Sequence, residues 1–257
     1  MNLLEQLVLF LVSLVANTFS AFSGGGAGLI QFPVLIFLGL SFAVALATHK
    51  VASVALGMGA VLRYISSSHL ERKFVIVMLL AGMPGVVLGG NVILMIPDRV
   101  AIFALGVLTG GLGLYSMFKP SLGLEDKPEH RDTKGYIIGG LALFCLGVLN
   151  GSLTSGTGLF VTIWLVSWFG MDYQRAVAYT LILVGLFWNG AGAVTLGLLG
   201  EIRWDWIPVL LLGSFLGGYL GSHLAIKHGS RWIKRAFEVI TILIAIKLIW
   251  GGTFSQV

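Results

Sequence analysis

The sequence predicts an all-α polytopic membrane protein built as two inverted repeats, each a broken or re-entrant helical hairpin plus three transmembrane helices. Three observations predict it. Of 257 residues, 57% are hydrophobic and only 11% charged, with a mean hydropathy of +0.96, where a soluble domain carries roughly 25% charged residues. Two long apolar stretches are each interrupted near the middle by small and polar residues, at matching places in the two halves. Basic residues gather on one side of the crossings under one topology and not under the other. The 36 glycines suit the same class, because small residues let helices approach closely in lipid.

At the N-terminus, MNLLEQLVLFLVSLVA has no basic flank before its apolar run and no small-residue cleavage site, and its first charge is Glu5. It reads as a retained membrane segment and not as a signal peptide. No charged residue occurs from Gln6 to Thr48. Residues 6–40 are too long for one crossing of about 20 residues and awkwardly short for two with a loop between them. They are broken by SGGGAG, from Ser23 to Gly28. A helix is expected over 42–64, and crossings over 74–97 and 100–118. The segment KPSLGLEDKPEHRDTK, residues 119–134, is the one long polar stretch. Residues 135–170 then repeat the first anomaly, broken by NGSLTSGTG from Asn150 to Gly158. Helices are expected over 173–199 and 206–226, the latter with His223, and a shorter one near 237–250 carries Glu238 and Lys247.

The halves match beyond the breaks. Gly28-Leu29 corresponds to Gly158-Leu159, AVALAT at Ala43 to RAVAYT at Arg175, and GVVLGG at Gly85 to GSFLGG at Gly213. The offsets are 130, 132 and 128 residues, which marks a duplication. The division is residues 1–118, a linker over 119–134, and residues 135–257. If each broken stretch dips in and returns to the same face, each half makes an odd number of full crossings and the halves are inverted. One face then collects Arg63, Arg72, Lys73, Lys119, Lys127, Arg131, Lys134, Arg175, Lys227, Arg231, Lys234 and Arg235, against Arg99 and Arg203 on the other. Twelve against two is a strong positive-inside bias. It puts the basic loops and the linker in the cytoplasm of a bacterial cell, with both termini outside the inner membrane. A kinked full crossing in place of each hairpin stays open on charge alone.

Irregular backbone at membrane depth is tolerated where protein buries it or where it lines a wet cavity. In inverted-repeat transporters such breaks lie between the halves and bind substrate. Short apolar helices, 29–38 and 159–169, follow the two breaks, so free N–H groups and positive dipole ends face them. That predicts an anion site built from Ser23, Gly24, Gly25 and Gly26 in the first break and from Asn150, Ser155, Gly156 and Thr157 in the second, the hydroxyls serving as caps or as donors. The plainer reading is glycine for close packing. Lys50 lies about eight residues, roughly 12 Å, into its helix; a buried cation there is costly and is read as functional, or else as a lysine snorkelling to the interface. His49, beside it, binds substrate or only packs. In the second half Ile182 stands opposite Lys50, and Asn189 is the one strongly polar residue of that helix; it donates to substrate or ties helices together.

Other features read as structural: Pro84 as a kink, Trp204 and Trp206 as interfacial anchors, Glu238 as the local partner of Lys234 and Arg235. The single cysteine, Cys145, allows no internal disulfide. The net charge of +5 reports orientation and not nucleic-acid binding. The buried candidates for chemistry, His49, His223 and Cys145, show no spacing with a carboxylate, so neither an enzyme nor a metal site nor a cofactor is expected. No Lys-Ser/Thr follows the glycines, which sets them apart from a soluble phosphate loop.

The stretch FSGGGAGLIQFPVLIFLGL, the following ALATHKVAS, and GTGLFVTIWLVSWFGMDYQRAVAYT in the second half resemble the TauE/SafE family of sulfite-exporter-like permeases, over essentially the whole chain. The resemblance implies a secondary transporter, an exporter of small sulfur-containing anions such as sulfite or organosulfonates. An anion channel, or a permease for another small anion, is the alternative. It also supports Lys50, whereas many relatives carry Asn-Lys where this chain has His49-Lys50, and Ile163 stands where a second Pro33 would be. Expected partners are the anion and the lipid bilayer, with coupling to protons and a homodimer as further expectations.

Overall fold

The computed structural model describes residues 3–65, 70–92, 98–152 and 156–254. Among them every regular element is a helix. These are α1 (Leu3–Ser23), α2 (Gly28–Phe37), α3 (Phe42–Tyr64), α4 (Arg72–Val92), α5 (Asp98–Phe118), α6 (Thr133–Ser152), α7 (Thr157–Phe169), α8 (Tyr173–Leu199), α9 (Ile207–His228) and α10 (Ser230–Phe254). Helices α3 and α8 have the expected bounds. The last helix extends beyond the run near 237–250 and takes in Lys234, which pairs with Glu238 at 2.8 Å.

Each broken stretch has one long arm and one short arm. Helices α1 and α6, of 21 and 20 residues, span about 30 Å at 1.5 Å per residue, and α2 and α7, of 10 and 13 residues, about 15 and 20 Å. Helices α1, α3, α4, α6, α8 and α9 are the described ones long and apolar enough to cross a membrane. The contacts give the directions. Gly213, Gly217 and Gly221 of α9 meet α1 at Phe10–Ser13, Leu14–Asn17 and Thr18–Phe22 in turn, so the two helices run parallel. Leu56 meets Gly218 and Arg63 bonds to His223, so α3 runs that way too. The short arm α2 therefore carries the chain back to the end where α1 began. The second hairpin does likewise: the Trp168 indole at the close of α7 donates to Gly135 O, at the start of α6, at 3.1 Å.

The glycine motifs that match between the halves are the sockets for these hairpins. Gly85 and Gly89 of α4 lie against Phe144, Val148 and Ser152 of α6, while Gly82 meets Gly147 and Gly151 meets Val86 and Gly90. The α1–α9 pair uses Gly213, Gly217 and Gly221 in the same way. The first hairpin thus leans on α9 and the second on α4. Without a hydrophobic drive between helices in lipid, such close backbone approach is what dispersion packing needs. Helices α3 and α8 cross antiparallel at the centre, with Gly57 on Gly185 and Leu186, and α5 runs antiparallel to α10, bonding Ser116 to Glu238 at 2.9 Å. The linker is folded against one end. Glu71 pairs with Arg131 at 3.3 Å and with Arg175, Arg175 bonds Asp126 at 2.8 Å, and Lys127 N donates to Gly170 O at 2.7 Å.

A side chain at Gly147 would enter the backbone of α4 at Gly82, whereas at Gly111 it would meet nothing within 4 Å. Overpacking of this kind costs about 1–3 kcal/mol. The expected result for Gly147→Leu is an unfolding temperature in detergent roughly 3–10 °C lower, with little change for Gly111→Leu. Equal falls for the two variants would remove the packing explanation.

Candidate functional site

The two glycine breaks meet. A Cβ on Gly25 would strike the backbone of Gly158 and Leu159, and Gly24 O accepts from the Thr162 hydroxyl at 2.7 Å, which also reaches Thr180 Oγ1 at 2.9 Å. Gly24, Gly25 and Gly26 have φ of 90°, 144° and 99°, and Gly156 has 79°. A side chain is strained in that region, so glycine is what lets the chain turn so tightly and lie backbone to backbone. Around this crossing lies a small cavity of about 40 Å³, room for a few waters or one small oxyanion. It is walled by the opening turns of α2 (Gly26, Ala27, Gly28) and α7 (Thr157, Gly158), by His49, Ser53 and Leu56 of α3, by Asn150 of α6, and by Thr180, Leu181, Val184, Gly185 and Asn189 of α8. Residues Thr180–Trp188 of α8 form a wide π-helical segment, a geometry that recurs at functional sites.

Lys50 is fully buried. Its ammonium donates to Asn150 Oδ1 at 2.5 Å and to Asn189 Oδ1 at 3.0 Å, while Gly192 packs on its stem. Among the described residues no carboxylate pairs with it. A lysine can only donate, so both amides turn their oxygens to it and their NH₂ groups elsewhere. That of Asn150 donates to Thr157 Oγ1 at 2.8 Å, and Asn189 lines the cavity. One ammonium therefore joins α3 to α6 and α8, and three residues that the sequence offers separately form a single cluster.

His49 faces a second polar chain. Its Nδ1 lies 2.9 Å from Gln31 Oε1 of α2 and its Nε2 lies 3.2 Å from Ser53 Oγ. Gln31 Nε2 donates to Ser13 Oγ at 3.1 Å, Ser13 donates to Leu210 O at 2.9 Å, and Asn17 Nδ2 reaches Ser13 O at 2.7 Å and Ser214 Oγ at 3.0 Å. Sequence reasoning missed Gln31, Ser13, Asn17, Ser53, Thr162 and Thr180. Ser13 and Asn17, four apart in α1, are a legible polar stripe on one helix face; Gln31 carries no signal beyond being polar in an apolar helix.

The cavity brings together Gly25, Gly26, His49, Asn150, Thr157 and Asn189, with Lys50 behind the two asparagines. Ser23 and Gly24 are not in its wall. Neither short helix has a side-chain cap: Ala27 and Gly156 hold the cap positions. Ser23 instead donates to Phe19 O at 2.8 Å and to Gly25 O at 3.1 Å, because it ends α1 and does not begin α2. Gly156 packs on Leu29, and Ser155 lies outside the described residues. Glu238 pairs with Lys234, Cys145 is exposed, and His223 accepts from Arg63 Nε at 3.1 Å. Among the described residues no three His, Cys, Asp or Glu side chains gather as metal ligands.

The chain matches the family described as sulfite exporter TauE/SafE over residues 9–248. It is similar to a probable membrane transporter protein of Haemophilus influenzae, 30% identical over 245 residues that cover 95% of this chain and 94% of that protein. The probable membrane transporter protein YfcA of Escherichia coli is 29% identical over 253 residues, 97% and 91% of the two chains. The probable membrane transporter protein YunE of Bacillus subtilis is 23% identical over 274 residues, 96% and 98% of the two. On a match of this extent, the protein belongs to the sulfite exporter TauE/SafE family of membrane transporters.

Proposed function

We propose that the protein is a secondary transporter, working as an exporter, of small sulfur-containing anions such as sulfite or organosulfonates, and that the anion binds in the cavity between the two breaks. The observation that carries this reading is the buried Lys50 ammonium held by two amide oxygens, with no carboxylate beside it among the described residues. A charge taken out of water needs a counter-charge, and the cavity next to it has room for one. The opening turns of α2 and α7 aim helix dipoles at the same space, and first-turn amides have no acceptor in their own helix. The Asn189 amide adds a side-chain donor and Thr157 lines the wall beside it, while Gly25 and Gly26 let the anion reach the backbone. Ser23, Gly24 and Gly156 act by shaping the breaks.

Alternating access follows from the duplicated build. The halves 1–118 and 135–257 act as an inverted pair joined by the linker 119–134. This is supported by the exchange of partners, α1 on α9 and α6 on α4, and by the antiparallel crossing of α3 with α8. Rocking one half against the other about the Lys50 cluster would open the cavity to each side in turn. The basic end that carries the linker faces the cytoplasm of a bacterial cell under the positive-inside rule, and both termini lie outside.

Sulfite, thiosulfate, sulfoacetate, taurine and sulfate, screened by thermal unfolding of the purified protein, are expected to separate, with sulfite or an organosulfonate giving the largest stabilisation. Loss of the charge in Lys50→Met is expected to weaken that anion's binding about 10- to 100-fold, the equivalent of roughly 1.5–3 kcal/mol for a charge-assisted contact. Equal binding by a folded Lys50→Met variant would overturn the site. For topology, single cysteines replacing Glu5 and Glu201 in a Cys145→Ser background are expected to react with an impermeant maleimide in intact cells, and one replacing Ser121 only after permeabilisation. Labelling of Ser121→Cys in intact cells would overturn the orientation.

A further inference from the structure

We propose that His49 Nε2 takes up one proton when the anion binds, so that anion and proton move through this protein together. The inference rests on the anion-site reading and adds the coupling ion to it. The Gln31 amide is oriented by its donation to Ser13 Oγ, which leaves Oε1 toward His49 as an acceptor. Nδ1 therefore carries the hydrogen, and Nε2 is the lone-pair nitrogen, accepting from Ser53 Oγ. His49 and Ser53 both line the cavity, so the basic nitrogen lies one hydroxyl away from the anion's place.

The surroundings make this coupling strict. Gln31 faces the imidazole from α2, Ser53 and Lys50 from its own helix, and Asn150, Thr180 and Asn189 share the cavity from α6 and α8. Of these groups only Lys50 carries charge, and it is a cation. An imidazolium in the empty cavity would stand beside a second cation in a site with little water, which like-charge repulsion and desolvation both oppose. A bound anion supplies the missing counter-charge, and the new imidazolium in turn strengthens the hold on the anion. The two binding events favour each other by the same factor, as linkage requires. In the step itself a hydronium ion or buffer acid loses its proton, an N–H bond forms at Nε2, and the Ser53 hydroxyl rotates to accept. With Lys50 the loaded site then holds two positive charges, which suits a doubly charged oxyanion.

Sulfate and sulfoacetate test this directly, because neither changes its own protonation near neutral pH. Titration calorimetry of the whole protein in two buffers of different ionisation enthalpy reads the protons taken up per anion bound. The expected result is about one proton for wild type and none for His49→Gln. Ser53→Ala, which removes the hydroxyl that accepts from the new N–H, loses a charge-assisted bond stronger than the neutral one it replaces, and is expected to keep the uptake but confine it to lower pH. Binding of either anion by wild type without proton uptake would overturn the inference and leave the anion site standing, and so would full uptake by a folded His49→Gln variant. No binding heat from sulfate, sulfoacetate or sulfite would overturn the anion-site reading itself, and the proton step with it.

Discussion

The contact of Gly25 with Gly158 is the constraint on which the rest of the molecule depends. Two segments that leave their helices inside a bilayer must hide their backbone groups from hydrocarbon. Here each break hides against the other. For that to happen both hairpins must reach the same depth from opposite ends, and each needs a long first arm seated along a helix with no side chains in the way. The glycine ridges of α4 and α9 provide those seats. Packing, hairpin depth and cavity position are thus one requirement met three times.

Burial of Lys50 follows from the same crossing. The long arm α6 delivers Asn150 to the centre, and α8 crosses α3 closely enough, at Gly57 and Gly185, to bring Asn189 within 3.0 Å of the ammonium. Neutral amide oxygens stabilise the cation without cancelling its charge, so the field remains available to whatever enters the cavity. A carboxylate at either position would have formed a closed ion pair and cancelled that field.

Much of this was legible in the residues. Composition identified the membrane setting, and helix bounds were readable wherever a charged or polar residue ended an apolar run, as at Tyr64 and Leu199. Lys50 stood out because a charge in hydrocarbon is costly, Asn189 as the one strongly polar residue of its helix, and Asn150 and Thr157 because they belong to the second break. Capping by Ser23 was misjudged, since nearness in sequence to α2 says nothing about which carbonyls a hydroxyl meets when the chain turns at positive φ. The network from Ser13 through Gln31 to His49 joins residues of α1, α2, α3 and α9, and no local pattern announces it.

By itself, then, the sequence determined which segments are apolar enough to enter a membrane, where they break and which residues are costly to bury, because all three follow from local hydropathy and backbone freedom. Only the tertiary structure decided that the breaks cross, that among the described residues Lys50 answers to Asn150 and Asn189 and not to a carboxylate, and that His49 sits between Gln31 and Ser53 at the cavity wall. Those facts depend chiefly on pairs 18 to 139 residues apart along the chain, and their energy appears only once packing has expelled the water between them.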